Sequence, residues 1–398
     1  MTRLQVLPTK STVFSILLGL CFLTPVSTIG NLLMPGLIIF TYLFYRPKNK
    51  YLHYQIALFV VFLMSFCLNS FTMRYFGFKS VSRSATMFLL FALFPYINEN
   101  FDMSPKIPIL LIGVVFLSQI SEILNIQPIM SLIDNLYPWE NALYGETGVE
   151  FNLGMAGRYG GIYRNPNDCG RTLCILTSLY LVCSHYNKLL RTAKGNALFD
   201  CVVFATAVIA VVTTGSRTNM VIIAVLILST LFVRYNSKSN LNKIILLSFV
   251  LIIMAVTFIF LSNSGSRLFE VSFTANERRD MFSDLLFNLS GNPLHLLFGY
   301  FYIETLELHN LGFEGGFDSD FGNILYYYGF TGLLVIALFV IRIYKNTGKI
   351  FFYVLPLFLT CVSNGLFTSY KALCHLMILM AVCWCVNKNE GCSNIGKY

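Results

Sequence analysis

The stretch GRYGGIYRNPNDCGRT, Gly157 to Thr172, sets Arg158, Arg164 and Arg171 around an Asn165-Pro166-Asn167 turn. Arginine keeps its charge and presents five N–H donors in a rigid fork, which suits bidentate binding of phosphate or diphosphate. Gly157, Gly160 and Gly161 let the backbone approach a ligand closely. The turn residues predict a helix start, with Asn167 or Asp168 as its cap. A second stretch, TTGSRTN, puts Arg217 at the start of an apolar run, where a helix N-terminus adds its own positive end. A third, NERRDMFSDLL, carries Arg278 and Arg279. Adjacent helix positions diverge by about 100°, so at most one of these two faces a site, and salt bridges to Glu277 or Asp280 are the ordinary use of each. A fourth, HNLGFEGGFDSDFGNILYYYGFTG, brings His309, Asp318 and Asp320 together ahead of another apolar run. Any of those three can take a proton from a sugar hydroxyl. Gly329 and Gly332 predict a close helix contact in the same run.

Each group also has an ordinary use. Interfacial arginines snorkel to lipid headgroups, and loop carboxylates form a solvated face. Asn165 and Asn167 support the arginines. Tyr163, with Tyr137, Trp139, Tyr144 and Tyr159, either stacks on sugar faces or belongs to an aromatic membrane belt. No GxxxxGK[ST] loop occurs, which argues against ATP-driven work. No Cys/His spacing suggests zinc, and the eleven cysteines lie mostly in apolar segments, as small hydrophobes. The reading therefore calls for no metal, no cofactor and no nucleic acid.

The elements that must position these groups are membrane helices. Of the 398 residues, 56% are hydrophobic and 12% charged, where soluble domains carry about 25% charged residues. Runs of about 20 apolar residues recur along the whole chain, whereas a transmembrane barrel would show short alternating strands. The fold class is all-α, a single integral membrane domain over 1–398 with about twelve spans. They are placed at 11–29, 31–45, 53–72, 83–97, 107–124, 168–186, 197–213, 217–234, 243–262, 321–342, 350–364 and 368–386. The first lacks a small-residue cleavage site and reads as a retained span. Two long loops remain, 125–167 and 263–320.

Lys and Arg placement orients the chain. With both termini cytoplasmic, the inner loops hold Arg46/Lys48/Lys50, Lys188/Arg191/Lys194, Arg234/Lys238/Lys243 and Arg342/Lys345/Lys349. Both long loops then lie outside. The outer basic residues are mostly arginine, on the side that usually avoids them. Mixed with loop acids, they suit a substrate with an anionic head and a polar neutral body.

The order RYGGIYRNPN, TGSR, ERRDMF, DSDFGNILYYYGFTG resembles the O-antigen polymerase and O-antigen ligase superfamily of bacterial membrane glycosyltransferases. The resemblance covers about 155 to 335. It implies a GT-C-like membrane enzyme of the bacterial inner membrane with its active site on the outer, periplasmic face. It implies an undecaprenyl-diphosphate-linked oligosaccharide repeat unit as substrate, with a chain-length regulator and a flippase as partners besides membrane lipids. Arg217 and Arg278 or Arg279 would grip the diphosphate on the family pattern, beside Arg158 and Arg164, and Asp318 or Asp320 would act on the acceptor hydroxyl. The ligase frame fits at Gly329-Phe-Thr-Gly332, but its histidine position falls on Asp318, which favours the polymerase branch. A ligase and a lipid-linked sugar flippase are the alternatives. A flippase needs charge at mid-span and repeat symmetry, and neither is apparent.

Overall fold

The computed structural model describes residues 105–136, 158–163, 165–189, 197–235, 289–299 and 320–362, plus isolated positions near 19–23, 56–64, 283–286 and 372–386. The expected spans at 31–45, 83–97 and 243–262 lie outside the described residues. Those at 11–29, 53–72 and 368–386 are described only at scattered positions. Among the described residues every regular element is a helix and none is a strand.

The α-helices are α1 (Lys106–Ile123), α2 (Gln127–Leu136), α3 (Pro166–Leu189), α4 (Ala197–Thr213), α5 (Arg217–Tyr235), α6 (Pro293–Phe298) and α7 (Asp320–Thr347). Three 3-10 helices join them: Gly161–Tyr163, Gly348–Tyr353 and Leu355–Val362. Two segments, Lys106–Ile123 and Phe321–Arg342, are long and apolar enough to cross a membrane. Eighteen residues at 1.5 Å each give α1 about 27 Å, close to the thickness of bilayer hydrocarbon.

α3 is the central element, buried on every side from Cys169 to Cys183. It packs on α1, α4 and α5, and α5 in turn carries the two 3-10 helices after α7. The outer helices expose apolar residues two turns apart, such as Leu110 and Leu117 on α1, Val202 and Ile209 on α4, and Val221 and Leu228 on α5. Such stripes are what a lipid-facing helix presents, since a helix that is apolar all round is a core or membrane helix. Buried Arg171 is paired, donating from Nη2 to Asp168 Oδ1 at 2.5 Å, one turn into α3.

Two expectations change here. Of the expected span 350–364, residues 350–353 and 355–362 lie in 3-10 helices instead of an α-helix. Gly348, with φ 56, ends α7, and Pro356 lacks the N–H an α-helix would need. The loop 125–167 contains α2. α1 closes in a Schellman turn, with the Ile126 N–H on Ser121 O at 2.9 Å and the Asn125 N–H on Glu122 O at 3.2 Å. Asn125 takes the left-handed conformation, φ 53, that this turn requires. Gly329 makes the expected close helix contact, with α6, through a break in α7 at φ 63, ψ −165. Gly299, after α6, packs reciprocally on the backbone of Tyr326 to Tyr328, and the Thr331 hydroxyl donates to Leu297 O at 2.7 Å.

Candidate functional site

α1 presents one polar face within its apolar run, Ser118, Gln119 and Glu122, and that face grips the 158–163 segment. Ser118 Oγ accepts from the Ile162 N–H at 3.1 Å, and Glu122 Oε2 from the Gly161 N–H at 2.7 Å. Buried Gln119 donates from Nε2 to Tyr159 O at 3.2 Å and to Ala210 O at 3.0 Å, tying α1, the segment and α4 together. Gly161 lies so close to α1 that a Cβ there would collide with Ser118 Oγ. The spacing of these polar residues was visible in SQISE, but their partners are 39 to 91 residues away.

The segment then meets the turn between α4 and α5. The Tyr159 N–H donates to Thr213 O at 3.0 Å. Arg158 donates from Nε to Thr214 O at 3.1 Å and from Nη2 to Asn167 Oδ1 at 2.7 Å. Its stem crosses Gly215, whose φ of 62 turns the chain from α4 into α5. Asn219, fully buried in α5, donates to Asn167 O at 3.1 Å and to Ser216 Oγ at 2.9 Å. Gly170 leaves the room for that amide: a Cβ there would lie 2.5 Å from Asn219 Nδ2. A circuit of hydrogen bonds thus joins Arg158, Asn167, Asn219, Ser216 and Thr214.

The result is a positive junction. The N-termini of α3 and α5 both adjoin Arg158, and each helix end carries about half a positive charge. Arg217 is the first residue of α5 and is exposed. Asp168 lies in the first turn of α3, but Arg171 offsets its charge. Chemically, such a junction favours an anion with several acceptor oxygens.

No protein-family model, curated protein or solved structure matches this chain.

The remaining expected residues divide into four groups. Asn165, rather than Asn167 or Asp168, caps α3: its Oδ1 accepts from the Asn167 N–H at 2.9 Å, with Pro166 at the first helical position. Asn167 keeps its side chain for Arg158. Tyr163 is buried and its hydroxyl donates to Phe22 O, so it serves the core instead of offering a stacking face. Asp320 is the first residue of α7. Arg164, Arg278, Arg279, His309 and Asp318 lie outside the described residues. Among the described residues, no group of three or more His, Cys, Asp or Glu could hold a metal ion.

One expected result follows from the turn. Gly215→Ala forces a side chain into the left-handed region, at about 1–2 kcal/mol. It also pushes on Arg158 Cγ, 2.8 Å from the new Cβ. Thermal unfolding in detergent should fall by a few degrees, and the displaced Arg158 should lower activity further than the stability loss explains.

Proposed function

We propose that this protein is a surface-polysaccharide polymerase of the bacterial inner membrane. It would carry about twelve spans, a GT-C-like arrangement and cytoplasmic termini, with its site on the outer face. The reaction moves a growing glycan from undecaprenyl diphosphate to a hydroxyl of a new lipid-linked repeat unit. The acceptor oxygen bonds to the anomeric carbon, the carbon–oxygen bond to the diphosphate breaks, and Asp318 or Asp320 takes the hydroxyl proton. Charge developing on the departing diphosphate is what arginines stabilise. Arg158 and Arg217 hold it, with Arg164 and Arg278 or Arg279 as further donors.

One observation carries this reading. Arg158 bonds to the carbonyl of Thr214, three residues before Arg217, so two arginine motifs distant in sequence share one turn at two helix N-termini. A deletion strain should display a single repeat unit in place of long chains. Normal chain lengths would refute the polymerase, and long chains stranded on the lipid carrier would indicate a ligase.

Arg217→Lys keeps the charge and loses the fork. Polymer yield at matched protein level should fall about 100-fold, the scale on which one lost donor to developing charge is felt. Wild-type yield and chain length would remove Arg217 from the site.

A further inference from the structure

Three residues, 124–126, separate the end of α1 from the start of α2, with the turn at Asn125 among them. Its residues sort into two sectors at 100° per residue. Gln127, Ser131 and Asn135 make a polar sector. Ile129, Met130, Leu132 and Ile133 make a wide apolar one. Only part of that apolar sector is used inside the protein: Ile133 is 8% exposed, while Ile129 is 43% and Leu132 57% exposed.

Exposed apolar side chains run along α1 at Leu110 and Leu117, reach Leu124 just past its end, and continue at Ile129 and Leu132. The first of these belong to a helix able to cross a membrane, so the exposed part of α2 extends a surface made for lipid. The sequence continues after α2 with Tyr137-Pro138-Trp139, and Tyr and Trp are residue types enriched at the membrane–water boundary. α2 has ten residues, too short to span, and carries no Lys or Arg to attract anionic headgroups.

From this geometry we infer that α2 lies in the plane of the membrane surface at the end of α1, with Ile129 and Leu132 in the boundary between headgroups and acyl chains. The apolar face of such a helix is buried about 5–10 Å into the boundary between headgroups and acyl chains. Its hold is apolar burial, so it takes zwitterionic and anionic lipid alike. This goes beyond the glycosyl-transfer reading and needs only that the chain sits in a bilayer.

The test uses the full chain in phosphatidylcholine vesicles. Trp139→Phe and Trp384→Phe remove the two native tryptophans. Single tryptophans are then placed by Leu132→Trp, by Ile129→Trp on the same sector, and by Ser131→Trp on the polar sector. Lipids brominated near the carbonyl end of the chain should quench roughly half the emission at 132 and 129 and little at 131, as an in-plane helix requires. Lipids brominated near the methyl end should quench less. Equal quenching at all three positions would overturn the inference, and so would strongest quenching by the deep bromines. Blue-shifted emission without lipid quenching would also overturn it, by showing that protein covers this face, whether this chain or a second copy. Two positions on the apolar sector keep the test decisive if one variant fails to fold.

Discussion

Arg158→Lys is expected to abolish long-chain glycan and to loosen the junction between α3 and α5. The guanidinium reaches Thr214 O from Nε and Asn167 Oδ1 from Nη2, two acceptors met by two different atoms of one planar group. A lysine offers a single nitrogen on a flexible stem and cannot reproduce that fork. A hydrogen bond to a charged group contributes about 1.5–3 kcal/mol, so losing one of the two should destabilise the fold by roughly 2 kcal/mol. The effect on activity should be larger. In the proposed reaction the same guanidinium stabilises charge on the leaving diphosphate, where one misplaced donor costs about 100-fold or more. Two measurements separate the effects: electrophoresis of surface glycan at matched protein level, and thermal unfolding of the purified variant. Lost polymer with a modest fall in Tm supports a role on the anion. Normal polymer with the same fall in Tm leaves Arg158 as a strut between helices and withdraws it from the site.

Gly329→Ala is expected to be the most damaging small substitution in the described residues. At φ 63, ψ −165, Gly329 occupies a region open essentially to glycine alone, and a side chain there costs about 1–3 kcal/mol. Its Cβ would also lie 2.6 Å from the Phe298 N and against the Leu297 carbonyl, backbone that cannot rotate away. Overpacking of this kind adds about 1–3 kcal/mol. Gly299, φ 71, ψ −168, makes the mirror contact, its Cβ falling 2.5 Å from the Tyr328 N and 2.6 Å from Tyr326 O. The two glycines let α6 and the broken start of α7 meet backbone to backbone, so neither can be replaced alone. A comparison at Gly113 isolates the cause. That glycine lies inside α1 with nothing within 4 Å of a built Cβ, and Gly113→Ala should stabilise by about 0.5–1 kcal/mol. Yield of monodisperse protein and Tm should fall sharply for Gly329→Ala and hold or rise for Gly113→Ala. Equal behaviour of the two variants would show that the contact between α6 and α7 contributes little.

The sequence alone determined the helical class of the described residues and where several helices run. The apolar runs at 107–124, 168–186, 197–213, 217–234 and 321–342 correspond to helices within a few residues. An apolar run of this length is local information, and in a hydrocarbon surround the backbone can satisfy its own hydrogen bonds only as a helix or a closed barrel. Local signals also existed where the reading went astray. Gly348 and Pro356 mark the change to 3-10 turns, and Pro166 at the first helical position identifies Asn165 as the cap. Only the tertiary structure decided the rest. It brought Arg158 onto the turn ahead of Arg217, set Glu122 on the Gly161 N–H, placed Asn219 behind Asn167, and seated α6 in the break at Gly329. Those partners stand 34 to 56 residues apart in the chain. No window of neighbouring residues contains both halves of such a contact. Its geometry depends on how α1, α3, α4 and α5 pack, and on glycines whose missing side chains matter only once another backbone has arrived beside them.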